Sequence, residues 1–213
     1  MTAPRGLTLT PDRRSRLHRL RLSLSLIVLA GALSPTLVSG QAPDETWRRL
    51  DTTHFRVTYP AELRWLATRV AERAERAHRK LHPRFDDIPA SRIDIVVSDH
   101  TDAANGFASV IPWNRIVILA PVPTSGFELA YFDDWLELVV THELVHILHL
   151  DRRGPLGTIV KTMFGRSPVR WPTFPNSALP RWVIEGLATY YESALTDAGR
   201  VQGTFQDMAL RTA

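Results

Sequence analysis

The chain has 213 residues, with 26 Lys and Arg against 22 Asp and Glu, and it contains no cysteine. That excludes disulfide staples, thiol catalysis, thiolate zinc sites and a lipidated cysteine, so stability must come from a packed core and any transition metal must be held by histidine and carboxylate. Six arginines and Asp12 fall within the first forty residues; without that segment the balance is 20 basic against 21 acidic, and neither a nucleic-acid surface nor a polybasic membrane patch is expected.

Residues 1–40 read as a secretory signal peptide. Arg5, Arg13, Arg14, Arg16, Arg19 and Arg21 precede the apolar run Leu22 to Val38, and Ser39-Gly40-Gln41-Ala42 supplies the small residues for cleavage near Gly40 or Ala42. Ser23, Ser25, Gly31, Ser34 and Pro35 interrupt the run, which is a poor spanning helix against the roughly 20 apolar residues a bilayer needs. Ser15-Arg16 after Arg13-Arg14 matches twin-arginine export badly, so the general route is expected, with a periplasmic or extracellular product and no stable membrane span after cleavage. Residues 41–200 are expected to form one domain, and 201–213 to open a further segment of a longer chain, because "FQDMALRTA" carries no helix stop.

Within the domain, "THFRVTY" (53–59) alternates as a strand does and stops at Pro60. From Ala61 to Leu81 the spacing is helical, with Leu63, Leu66, Val70, Ala74, Ala77 and Leu81 on one stripe, and Pro83 ends it. "RIDIVVS" (92–98) predicts a short strand, and residues 104–121 two strand pieces around the turn residues Pro112 to Asn114. A long helix is expected from about Phe127 to Leu150, apolar nearly all round as buried central helices are. A Gly/Pro-rich connection over 152–180, holding one short helix at Leu156 to Phe164, leads to a last helix from Pro180 to about Leu195.

The central helix carries the chemistry. "THELVHILHL" (141–150) sets His142, Glu143 and His146 in the order H-E-x-x-H. At about 100° per residue, positions four apart lie about 40° apart on one face, so the two imidazoles project side by side and can reach one tetrahedral zinc. Glu143, beside the first histidine, is placed to act on a water as general base. His78 and His82 share the spacing but sit in a last helical turn before Pro83, where cationic side chains suit the helix C-terminus without a metal. His142 and His146 instead interrupt an apolar helix, where unpaired polar groups cost several kcal/mol each.

A catalytic zinc takes three protein ligands and a water. Downstream the best third ligand is Glu185 in "RWVIEGLATYYE", an apolar mid-helix setting that penalises a carboxylate unless it is coordinated or paired. The 38 residues between His146 and Glu185 allow the second helix to fold back across the first. His149 on the ligand face either meets substrate or packs as a hydrogen-bonded histidine. Tyr190 or Tyr191 are candidate oxyanion donors or packing residues, and Trp113, Trp135, Trp171 and Trp182 are read as core or cleft wall.

His142-Glu143-x-x-His146 followed by Glu185-Gly186-Leu187-Ala188-Thr189-Tyr190 resembles the gluzincin metallopeptidases. "THFRVTYP", "ANGFA", "NRIVILAP", "DDWLELVVTHELVHILHLD", "FPN" and "PRWVIEGLATYYES" look like the peptidase domain that opens exported bacterial proteins continuing into a Tol-type β-propeller. The metzincin pattern does not fit, because His149 and Arg152 stand where it needs glycine and histidine. The resemblance implies an α+β, zincin-like domain: a small mixed sheet with an edge strand over a buried active-site helix, and a second helix carrying the third ligand. It implies one Zn2+ per chain on His142, His146 and Glu185, with Glu143 as base and a peptide or protein substrate. "ANGFA", with Asn105, Gly106 and Phe107, would be the edge strand to which a substrate backbone adds. Thermolysin-type enzymes place an Asp four residues after the Glu ligand to orient a histidine; Thr189 stands there in this chain, and Glu192 is the candidate substitute. Two rivals stay open: a catalytically silent binding module of this fold, and a zinc hydrolase of a non-peptide amide or ester.

Overall fold

A computed structural model describes residues 45–86, 88–102, 105–121, 134–166, 170–196 and 199–202, with the single positions 208 and 211. Residues 1–44, which include the expected signal peptide, residues 122–133 and most of the last eleven residues lie outside them. The described residues form a mixed α+β domain with one five-stranded mixed sheet. No helix among them is long and apolar enough to cross a membrane.

The strands are β1 (Trp47–Asp51), β2 (Phe55–Pro60), β3 (Ile93–Ser98), β4 (Asn105–Ser109) and β5 (Arg115–Leu119), in the sheet order β1-β2-β3-β5-β4. β2, β3 and β5 run parallel, whereas β1 and β4 are antiparallel edges. Along β2, β3 and β5 alternate residues are buried: Phe55, Val57 and Tyr59, then Ile93, Ile95 and Val97, then Ile116 and Ile118. The residues between them stay partly exposed, as expected of a sheet covered on one face. β1 was not expected: "WRRLD" is charged and mostly exposed, a common way of blunting a sheet edge, and this hides the alternation on which a strand reading depends.

Two helices matter most for the buried layer. α1 (Arg64–Leu81) buries Leu66, Ala67, Val70, Ala74, Ala77 and Leu81, the predicted stripe apart from the half-exposed Leu63, which lies in a preceding 3-10 turn. α2 (Trp135–Leu150) buries Leu136 and every residue from Leu138 to Leu148. Its first residue is Trp135, since Asp134 has left helical geometry and caps the first turn, accepting from the Glu137 amide at 3.1 Å; residues 127–133 of the expected helix lie outside the described residues. α3 (Pro155–Phe164) follows, then a helical turn at Arg170–Thr173 and α4 (Arg181–Leu195). Pro180 is the N-cap of α4 rather than its first helical residue.

Both ends of α2 are tied down. At its start Arg73 of α1 donates to Asp134 at 2.7 Å, and Arg76 and Lys80 donate to Glu137 at 3.2 and 3.1 Å. At its end the buried Asp151 accepts from Asn114 at 2.8 Å, Arg166 at 2.8 Å and Arg153 at 3.0 Å. Arg166 also donates to the Val110 carbonyl at 2.6 Å and to Asn114 at 2.9 Å, joining the β4–β5 hairpin to the end of the helix. A buried carboxylate is tolerated here because each oxygen has cationic or amide donors.

His78 corrects the expectation of a cationic helix end. It is buried, stacks on His54 with ring centroids 3.8 Å apart, and burial lowers its pKa, with His54 adding to the effect.

Candidate metal centre

His142 and His146 lie mid-way along α2, and α4 crosses it so that Glu185 faces them. The His142 and His146 Nε2 atoms are 3.1 Å apart, and Glu185 Oε2 is 3.4 Å from the first and 3.5 Å from the second. A tetrahedral zinc with bonds of about 2.05 Å separates its ligand atoms by about 3.3 Å, so this near-equilateral triangle fits one face of such a coordination shell. Two neutral imidazoles and a carboxylate are also a donor set that suits zinc. Burial, reinforced by His142, pushes His146 down to about 4, which keeps the ring neutral and leaves one ring nitrogen with a lone pair free to ligate.

Glu185 corrects the reasoning that singled it out. Its side chain is 44% exposed, opening onto a cleft, so no burial penalty marks the position. Its other oxygen lies 3.6 Å from Arg181, itself nearly fully exposed.

The first histidine has a second carboxylate behind it. Glu192, wholly buried on α4, approaches His142 Nδ1 to 2.8 Å through Oε2. Two oxygen lone pairs do not face a nitrogen lone pair at that distance, so His142 Nδ1 carries the hydrogen and donates it, leaving the Nε2 lone pair directed at the triangle. Burial alone would raise the Glu192 pKa, but hydrogen bonds from His142 and Arg200 outweigh it and lower the value below 4.5. His146 lacks a matching partner: its Nδ1 is buried and unbonded among the described residues.

Glu143 is buried beside the triangle. Burial, opposed by His142 and reinforced by Glu185, raises its pKa from 4.5 to about 7. β4 lies directly over it. A Cβ on Gly106 would stand 2.6 Å from Val139 Cγ1, 2.9 Å from Glu143 Cγ and 3.2 Å from Glu143 Oε1. Glycine is therefore required for the edge strand to approach the helix this closely.

A cleft of about 570 Å³ opens above these groups. Asn105 to Ala108 form one wall, Arg181, Ile184 and Glu185 the other, and Val139, His142, Glu143, His146 and Leu150 lie along α2 between them. Among the described residues β4 has a neighbour only on its β5 side, and Phe107 is half exposed.

Other expected site residues lie elsewhere. Tyr190 is 60% exposed, is not among the cleft residues and packs edge-on against Tyr191, which itself lies against Phe85. Neither ring lines the cleft. His149 is also outside the cleft; its Nδ1 is buried without a hydrogen bond among the described residues, and burial followed by Arg152 lowers its pKa. Trp135 packs against the core, but Trp113, Trp171 and Trp182 are 49%, 66% and 77% exposed and form neither core nor cleft wall.

One site residue escaped the sequence reading. Arg200, in the turn after α4, lines the cleft and grips Glu192 with two parallel bonds, Nε to Oε1 at 2.7 Å and Nη2 to Oε2 at 2.8 Å. The signal available was Gly199-Arg200 just beyond a helix, a place where the chain can double back. No local periodicity links such a residue to a carboxylate eight positions earlier. Comparison of the chain with family models, with curated proteins and with solved structures returned no match.

Proposed function

We propose that this protein is a zinc-dependent peptidase of the gluzincin type, with a zincin-like domain, and that it acts outside the cytoplasm after export. The observation that carries the reading is the 3.1, 3.4 and 3.5 Å triangle of His142 Nε2, His146 Nε2 and Glu185 Oε2, with the Glu143 carboxyl buried next to it. Zinc bound by these three atoms would polarise a scissile carbonyl and acidify a water.

The chain's own groups supply the rest. Glu143, poised near neutrality, takes a proton from the attacking water at its carboxylate and delivers it to the leaving amine nitrogen. Glu192 holds the His142 ring in the orientation that points Nε2 at the centre. An extended peptide pairing with the open edge of β4 would be held by main-chain hydrogen bonds, largely independent of its sequence, with the carbonyl to be cleaved above Glu143. Phe107, Leu150 and Ile184 offer apolar contact to flanking side chains.

The test is cleavage of a mixed peptide library by the purified domain, with and without chelator, beside Glu143→Gln. Chelator-sensitive cleavage that Glu143→Gln loses, with zinc retained by both proteins, supports the peptidase. Zinc binding without cleavage of peptides, amides or esters would instead mark a binding module, and cleavage of esters or non-peptide amides alone would redirect the substrate assignment.

A further inference from the structure

The Arg200–Glu192–His142 chain extends the metal-centre reading, on which this inference rests, to a residue outside both motif helices. Three heavy atoms meet closely: His142 Nδ1 and Arg200 Nη2 each lie 2.8 Å from Glu192 Oε2, and 3.0 Å from each other. The two nitrogens are both donors converging on one oxygen. Were Arg200 donating to His142 instead, Nδ1 would be a bare acceptor 2.8 Å from a carboxylate oxygen, which is repulsive. Glu192 Oε2 thus accepts twice, and Oε1 accepts from the guanidinium Nε at 2.7 Å and from the Arg200 main-chain amide at 3.4 Å.

The backbone is shaped to deliver this guanidinium. A Cβ on Gly199 would fall inside contact distance of Ser193 Cα, Cβ and Oγ, so only glycine lets the chain fold back this closely over the last turns of α4. The Val201 amide donates to Ser193 Oγ at 3.1 Å, pinning the turn on the other side of Arg200.

We propose that Arg200 is a positioning residue: its fork fixes the buried Glu192 carboxylate in the one orientation that makes His142 the Nδ1–H tautomer, and so sets the strength with which His142 Nε2 binds the metal. Without the fork, Glu192 keeps a single strong donor and is free to turn about its terminal torsion. Its grip on the ring then loosens, and the Nε2–H form, which cannot ligate, gains population. Lysine cannot replace it, because an ammonium lacks the planar pair of donors that matches a carboxylate.

The experiment follows the ring directly and the metal separately. Nitrogen-15 NMR of the metal-free full chain reports the His142 tautomer, and competition with a chromophoric chelator reports zinc affinity, for the natural protein, Arg200→Ala, Arg200→Lys, Glu192→Gln and the double variant Arg200→Ala/Glu192→Gln. The proposal expects pure Nδ1–H in the natural protein, a mixture in both Arg200 variants, and zinc affinity lower by about 10- to 100-fold. It also expects the double variant to bind zinc no more weakly than Glu192→Gln alone, since Arg200 acts through Glu192. Unchanged tautomer and affinity in folded Arg200→Ala or Arg200→Lys, or losses that add in the double variant, would overturn it. If Arg200→Ala fails to fold, Arg200→Lys decides the matter by the same readings. Absence of zinc binding by the natural protein would remove the metal-centre reading, while the tautomer measurement would still show whether Arg200 governs the ring.

Discussion

Replacing Gly106 by alanine tests how the edge strand and the candidate base fit together. The new methyl carbon would lie 2.6 Å from Val139 Cγ1 and 2.9 Å from Glu143 Cγ, against an ordinary carbon–carbon contact of about 3.5–4.0 Å. Something must yield by roughly 1 Å. α2 cannot retreat, since it is buried along its length and tied at both ends, whereas among the described residues β4 is bonded to β5 on one side only. The strand therefore lifts, or Glu143 turns away. Overpacking costs about 1–3 kcal/mol, partly offset by the roughly 0.4–1 kcal/mol that Gly→Ala gains by restricting the unfolded chain, so a net loss of about 1–2 kcal/mol is expected. If the proposed peptidase activity is present, a shift of that size beside Glu143 would reduce kcat/KM by about 100-fold. Zinc content should be unchanged, because the candidate ligands come from α2 and α4. Urea denaturation, metal content and peptide hydrolysis measure the three quantities. Gly186→Ala is the control: its Cβ meets nothing within 4 Å, and relieving a mid-helix glycine should stabilise by about 0.5–1 kcal/mol. Natural stability and full activity in Gly106→Ala would refute the close-packing argument.

Glu185→Ala removes one corner of the donor triangle and should leave the purified protein with clearly substoichiometric zinc by mass spectrometry; full retention would show that the carboxylate is not a ligand. Asp151→Ala strips the acceptor from Arg153 and Arg166 at the end of α2 and should cost about 3 kcal/mol in denaturant unfolding, with the hairpin between β4 and β5 becoming the first region to exchange its amides. His78 has a folded pKa below its ordinary 6.5, so the unfolded chain binds the extra proton: its contribution to stability is complete above pH 6.5 and is lost as the pH falls through the folded value. In chelator, His78→Gln should therefore flatten the acid side of the stability–pH curve by up to about 1.4 kcal/mol per pH unit; an unaltered slope would show that the ring takes up its proton at the same pH in the folded and unfolded chain.

Elements with a clean period were legible in the chain itself. The α1 stripe, the alternation of β2 and β3, the paired strands over 104–121 and the all-round apolar α2 follow from side-chain direction, which a helix or strand repeats every few residues. His142, Glu143 and His146 were legible for the same reason, since a spacing of four places two rings side by side on any helix. Glu185 is marked by its motif and not by burial, since its side chain opens to the cleft.

What tertiary structure decided was everything that depends on two segments meeting. That Gly106 must be glycine is set by Glu143 and Val139 on a helix more than thirty residues away. The identity of the carboxylate behind His142, the pairing of Glu192 with Arg200, and the exposure of Trp171, Trp182 and Tyr190 depend on how α4 and the following turn lie against α2. A sequence records which faces are apolar, because burying them is a local demand repeated along each element. It does not record which polar atoms will be opposed across an interface, because that choice belongs to the packing of the elements together.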